Sequence, residues 1–302
     1  MPKSLVLASP TPVVALGLRD RLAAYWALTK PRITFEVVLI AAFGFLLGTP
    51  GPVDWARFCH AMLGIGLLSG GIAALNQWME HPADGQMRRT ATRPIPSGKV
   101  TPFQALLFGL VLTIGAEAYL CPTVNPLTAV LGLATAIGYV WIYTPLKTRT
   151  WLSTAIGSFP GAMPPLVGWA AAAGSLSLEA WVLFAIMFFW QFPHFYAIAW
   201  MYREDYRRAG IGMLPVIEAD GRRTIRQTLI TGLVTVGLSL LPFWLGLSGW
   251  IYLAGALVLG ALFLQSCLTL ARTRTNLAAK RVLRASVMYL PMLFLLMTLN
   301  RL

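Results

Sequence analysis

The sequence predicts an all-α polytopic membrane protein, a bundle of nine transmembrane helices with its N-terminus in the cytoplasm and its C-terminus outside. Three observations carry this. Of 302 residues, 57% are hydrophobic and only 12% charged, with a mean hydropathy of +0.67. A soluble domain carries about 25% charged residues, and no single soluble core of this length could bury so much apolar surface. Apolar stretches long enough to cross a bilayer, about 20 residues each, recur along the whole chain. The Lys and Arg residues fall almost entirely between alternate stretches. Together these exclude a soluble enzyme, a disordered chain and a disulfide-stapled secreted domain.

The nine stretches lie at roughly 33–49, 58–79, 102–120, 124–143, 152–173, 178–201, 227–246, 249–270 and 283–300. Backbone polar groups in hydrocarbon must be satisfied within the segment, so each reads as a helix. Residues 1–32 precede them as a cytoplasmic segment, and 33–302 form the helical domain. Lys3 and a short apolar run open the chain, without a secretory cleavage site. Gly64, Gly66, Gly70 and Gly71 suit close helix packing, or simply reflect how common glycine is in membrane helices.

The net charge of +13 would suggest nucleic acid in a soluble protein. Here 22 of the 24 basic residues fall on one side of the nine-span topology, leaving Arg57 and Arg301 on the other. The positive-inside rule makes the richer side cytoplasmic. Cys59, Cys121 and Cys267 are scattered without metal-ligand spacing. Two inner loops, 80–101 and 202–226, are long and hold much of the acidic minority; each follows a helix ending in polar residues, a faint hint of an internal repeat.

Asn76, Glu80 and Asp84 lie at i, i+4 and i+8, which stacks three oxygen donors on one helix face. An amide carbonyl and two carboxylates suit Mg²⁺, which takes hard oxygen ligands and shares them with phosphates. Solvated acids at a membrane boundary are the plainer alternative. Arg88, Arg89, Arg93 and Lys99 follow at once. Cations alone read as a lipid-headgroup anchor; beside paired carboxylates they read as a metal-diphosphate site. Tyr143, Lys147 and Arg149 form a short basic inner loop, which topology alone also explains. His194 sits behind Pro193 inside an apolar span, where an ionisable group is functional or hydrogen-bonded to a neighbouring helix. Glu204 and Asp205 form a second acidic cluster among arginines, or a solvated loop. Among weaker features, Glu36 reads as an ion pair with Arg32, Glu117 as a paired or snorkelling acid, His81 as a neighbour of the acidic ladder or a loop histidine, and His60 as remote from the inner face. Trp78, Tyr139, Trp190 and Phe195 can line an apolar chamber, though packing is the commoner role of such residues.

In chain order the motifs are Asn-x3-Glu-x3-Asp from Asn76, Met-x-Arg-Thr-x2-Arg-Pro from Met87, and Tyr-Thr-x-Leu-Lys from Tyr143. Then come Gly-Ala-Met-Pro-Pro-x2-Gly-Trp from Gly161, Trp-Gln-x-Pro-His-Phe from Trp190, and Asp-Tyr-x2-Ala-Gly-x2-Met-Leu-Pro from Asp205. Over roughly residues 24–300 the chain resembles the protohaem IX farnesyltransferases (haem O synthases), a branch of the UbiA-type intramembrane prenyltransferases. The first motif marks only the superfamily; the last two point to the haem branch.

The resemblance implies transfer of a farnesyl group from farnesyl diphosphate to the 2-vinyl group of haem B, with water addition, giving haem O and diphosphate. It implies Mg²⁺ as cofactor, with Asn76, Glu80, Asp84 and the second-motif Asp205 as metal ligands, and these four with Lys147 as the catalytic set. Arg88, Arg89, Arg93, Tyr143 and Arg149 are then expected to bind substrate, and His194 to contact haem. It also implies the bacterial inner membrane, an active site facing the cytoplasm, and a haem A synthase or terminal-oxidase assembly downstream. Two departures stand out: Glu80 replaces the more usual Asp, and Tyr206 and Ala209 stand where other branches carry further acids, which weakens the case for a symmetric two-metal site. The rival readings are a UbiA-type enzyme acting on a quinone precursor or chlorophyll-like ring, and a transporter whose acids and arginines line a permeation path.

Overall fold

The computed structural model describes residues 17–218 and 220–302. Lys3 and the first half of the N-terminal segment lie outside them. The described residues are all-helical. Helix α1 (Leu18–Leu28) comes first, then α2 (Pro31–Gly48), α3 (Trp55–Asp84) and α4 (Pro102–Thr123). Next is α5 (Pro126–Leu146), whose middle, Ile137–Tyr143, is π-helical. The short pair α6 (Ser153–Gly161) and α7 (Met163–Ala173) precedes α8 (Leu178–Met201). Two short helices, α9 (Arg203–Arg208) and α10 (Leu214–Ile217), lead to α11 (Arg222–Leu238), α12 (Trp250–Thr273) and α13 (Asn276–Leu299).

Among the described residues, eight helices are long and apolar enough to cross a bilayer. The stretch expected at 152–173 is instead a broken pair, because the chain turns at Ala162 between α6 and α7. Pro164 and Pro165 follow that turn; each lacks the N–H a continuing helix would use. Starts and stops follow local chemistry. Thr101 and Gln104 form a reciprocal capping box at α4, Asn125 caps α5, Asp54 caps α3 and Thr275 caps α13.

Small residues set the packing. A Cβ on Gly168 would strike the Ala41 carbonyl and one on Gly44 the Pro165 carbonyl, so α2 and α7 touch backbone to backbone. A Cβ on Gly71 would sit 2.8 Å from the Thr113 backbone nitrogen, and one on Gly109 would meet Leu75, which seats α3 on α4. Trp26, Leu22 and Leu18 form an exposed apolar row on α1, while Ala24 and Leu28 bury against Ala74, Ile95, Val100 and Ala105. Helix α1 therefore has the form of an interfacial helix tied to the end of the bundle where α3 and α4 are joined. At the opposite end Arg301 donates to the Leu46 and Thr49 carbonyls, closing the last helix onto α2.

Candidate active site

Helix α3 does not stop at the expected membrane boundary near residue 79. It runs 30 residues to Asp84 and so delivers Asn76, Glu80 and Asp84 on one helical face. Pro82 lies within that last turn and cannot donate to the Trp78 carbonyl. The His81 ring supplies the missing donor: its Nδ1 lies 2.6 Å from Trp78 O. His81 is thus a local splint for the proline, which lets the helix reach Asp84.

Each of these three oxygen-bearing side chains is engaged by a different cation. Lys30 Nζ donates to Asn76 Oδ1 at 2.7 Å, Lys147 Nζ to Glu80 Oε1 at 2.5 Å, and Arg93 Nη1 to Asp84 Oδ2 at 2.6 Å. Asp84 is 1% exposed, and its other oxygen, Oδ1, is buried with no hydrogen-bond partner. An orphaned buried carboxylate oxygen is costly unless something binds it. Together with the Asn76 carbonyl and Glu80 it forms an oxygen-only donor set that fits Mg²⁺.

The π-helical stretch of α5 builds the facing wall. Asn76 Nδ2 donates to Thr144 Oγ1 at 3.1 Å, and Thr144 Oγ1 donates to the Tyr139 carbonyl at 2.8 Å. Tyr143 packs flat on Gly157, where any Cβ would meet its ring, and Lys147 Nζ sits 4.5 Å from the ring centroid. Burial by itself would lower the Lys147 ammonium, but the Glu80 carboxylate against it holds it well above the usual lysine value. Lys30 goes the other way. Burial, and then the Arg93 charge, push it down to about 7 against the pull of Glu80.

The loop after α3 is folded rather than loose. Thr90 Oγ1 donates to the Asp84 carbonyl, and Lys99 and Val100 donate to the Pro94 carbonyl around Gly98 at φ 72°. Met87 packs with Tyr206, Ala209 and Ile211, so the two long loops pack on each other. A cavity of about 130 Å³ lies between α2, α3, α5 and the α6–α7 turn. Lys30, Ser69 and Tyr139 line its polar part; Val37, Ile65 and Val167 are among its apolar walls.

Other expected residues go elsewhere. Arg89 lies over the Tyr202 ring at 5.5 Å, tying the first inner loop to the second. Arg88 and Arg149 are exposed. Asp205 pairs with Arg208 and Glu204 with Arg207; among the described residues no three carboxylate, His or Cys side chains converge, so Asp205 is not gathered beside Glu80 and Asp84. His194 faces α13. Ser286 Oγ gives its hydrogen to the Leu283 carbonyl and therefore accepts from His194 Nδ1 at 2.9 Å, leaving the lone pair on Nε2. Of the four aromatic liners expected, Tyr139 lines this cavity; Trp190 donates to the Ser286 carbonyl, and Trp78 packs on Trp141. Glu36 pairs with Arg32, as its spacing predicts. Glu117 keeps one buried carboxylate oxygen without a partner, near Gly132 and Leu68.

Sequence reasoning missed Lys30, Thr144 and Gln191. Lys30 is one of 22 basic residues on the same side of the predicted topology, and nothing local singles it out. Thr144 was hidden inside a motif read for its charges. Gln191 donates to the Ser158 and Met187 carbonyls and fills the space beside Gly161, which fixes α8 against the cavity wall.

A bundle of apolar helices with an acid-and-cation cluster at one end of an apolar cavity is what an intramembrane prenyltransferase requires. The model of the UbiA prenyltransferase family matches residues 37–296, and the chain belongs to that family of integral membrane proteins. It is 50% identical to a protein named protoheme IX farnesyltransferase from Solibacter usitatus, over 92% of this chain and 98% of that one. It is 46% identical to one of the same name from Koribacter versatilis, over 98% and 97%. Among solved structures, a digeranylgeranylglyceryl phosphate synthase superposes with a TM-score of 0.78 at 17% identity, covering 93% of this chain and 98% of that one. A UbiA homologue from Archaeoglobus fulgidus bound to GPP and Mg²⁺ gives 0.64 at 16%, covering 91% and 99%. At those identities the superpositions speak for the fold.

Proposed function

We propose that this enzyme transfers the farnesyl group of farnesyl diphosphate to the 2-vinyl group of haem B, with addition of water, to give haem O and diphosphate. The observation that carries the reading is the Asn76–Glu80–Asp84 ladder, faced by Lys30, Lys147 and Arg93 above an apolar cavity, in a chain half identical to a protein named for this reaction.

Asn76, Glu80 and Asp84 would hold Mg²⁺, which when bound neutralises the diphosphate leaving group. Lys147 and Arg93 supply the rest of the countercharge, with Arg88, Arg89 and Arg149 at the rim; Tyr143 steers the Lys147 ammonium. Asp205 would join the metal only by leaving Arg208, with which it pairs here. Heterolysis of the allylic C–O bond sends its electron pair to the diphosphate. The vinyl terminal carbon then bonds to farnesyl C1, and water captures the cation left beside the porphyrin and gives up a proton. The predominantly apolar lining of the cavity disfavours other water until that step. His194 is the residue we assign to the haem, through its free Nε2.

The 22-to-2 split of basic residues supports a cytoplasmic site in the bacterial inner membrane and nine crossings, with α6 and α7 together forming one broken crossing. The product suits a haem A synthase or a terminal oxidase.

The test is expression in cells lacking their own haem O synthase, followed by haem extraction and mass analysis. Haem O is expected. Accumulation of haem B alone, with prenylation of a quinone precursor instead, would overturn the haem assignment.

A further inference from the structure

The three oxygen ligands of α3 are each held by a cation from a different segment: Lys30 from the α1–α2 joint, Arg93 from the loop after α3, and Lys147 from the end of α5. Arg93 and Lys147 belong to the motifs already assigned. Lys30 does not. A cation that served topology alone would reach for water and headgroups. Lys30 instead turns inward across 46 residues of sequence to the Asn76 carbonyl, and it lines the cavity.

Its backbone is built for that turn. Lys30 has φ 48°, in the left-handed region that residues with a side chain rarely occupy. The joint is pinned on both sides. Gln77, next to Asn76 on α3, donates to the Ala27 and Leu28 carbonyls, and Thr34 Oγ1 donates to the Thr29 carbonyl. Strain held this firmly marks a positioned side chain.

We propose that Lys30 is a diphosphate-binding residue that holds the Asn76 carbonyl until substrate arrives, so that the divalent ion and the prenyl diphosphate are taken up together and neither is held well alone. This rests on the metal-diphosphate reading of the site. With Lys30 as ammonium, three cations and two carboxylates leave one net positive charge. A divalent ion alone would raise that to three and would have to displace the cations from its own ligands. A diphosphate ester alone would meet two carboxylates. The ion and a diphosphate carrying three negative charges bring the sum to zero, and each cation can then pass from its ligand to a phosphate oxygen.

The experiment is equilibrium dialysis of detergent-purified full-length protein against radioactive Mn²⁺ at a fixed free-metal concentration, with and without a farnesyl thiodiphosphate analogue. The wild type is expected to retain Mn²⁺ at least about tenfold more tightly with the analogue present, in line with charge-assisted hydrogen bonds exchanged at the site. Lys30→Met is expected to bind Mn²⁺ alone more tightly than wild type, and the analogue in the presence of Mn²⁺ about tenfold more weakly. A merely structural lysine would not produce a gain in metal affinity when removed. Lys30→Gly, which suits the left-handed backbone, is the second variant should methionine not fold there. Equal Mn²⁺ affinity with and without the analogue in wild type, or unchanged affinities in the folded variant, would overturn the proposal while leaving the metal-diphosphate reading intact. Absence of Mn²⁺ and analogue binding in every combination would overturn both.

Discussion

The Glu80–Lys147 pair allows structure and chemistry to be separated in one double-mutant cycle. The two groups are 2.5 Å apart, and their side chains are 15% and 19% exposed. Removing one member of a buried ion pair costs about 3–5 kcal/mol; the residual exposure lets water solvate the stranded charge, so about 2–3 kcal/mol is expected for Glu80→Gln or Lys147→Met singly. In the double variant no charge is stranded, and about 2 kcal/mol of that loss should return as coupling. Activity should not follow. Glu80 is wanted as a metal ligand and Lys147 as countercharge, so all three variants should lose at least about a hundredfold in haem O formation, and the double variant should be no better than either single. Stability is read from unfolding in mixed detergent micelles by circular dichroism, and activity from haem O formed in membranes. A double variant that regained activity along with stability would refute the reasoning, since the pair would then be a strut and nothing more.

Asp84→Asn keeps the shape and the acceptor for Arg93 but removes the charge; it should abolish diphosphate release while expression and membrane insertion stay at wild-type levels, and full turnover would remove Asp84 from the metal site. Arg93→Ala should cost more activity than Arg88→Ala or Arg149→Ala, because Arg93 reaches Asp84 at 2.6 Å whereas the other two are exposed; relative kcat/KM for farnesyl diphosphate decides it. Gly168→Ala should destabilise the bundle by about 1–3 kcal/mol, as an overpacked contact does, because its Cβ would meet the Ala41 carbonyl; the micelle unfolding midpoint measures it.

Much of the bundle was legible because membrane insertion is a local property: any stretch of about 20 apolar residues pays its own way into lipid. The expected stretch at 178–201 has the bounds of α8, and 102–120 begins where α4 begins. What was not legible came from local chemistry that hydropathy ignores. The stretch at 152–173 is apolar throughout, yet breaks at Ala162 ahead of two prolines. Helix α3 outruns its apolar part because His81 repairs the carbonyl that Pro82 strands. Helix α13 begins at Asn276 rather than near 283, since Lys280, Arg281 and Arg284 continue a helix as readily as they end an apolar run.

The sequence by itself determined the class of molecule and the shared helical face of Asn76, Glu80 and Asp84, because helical spacing within one element places side chains without reference to the rest of the chain. Only the tertiary structure decided which cation meets which of these side chains. Lys30 lies 46 residues from Asn76, and Lys147 lies 67 from Glu80. Nothing local distinguishes them from Arg88 or Arg149, which are exposed. Their roles are set by how α1, α3 and the π-helical part of α5 pack, since a charge acts over a few ångströms of space and is indifferent to distance along the chain.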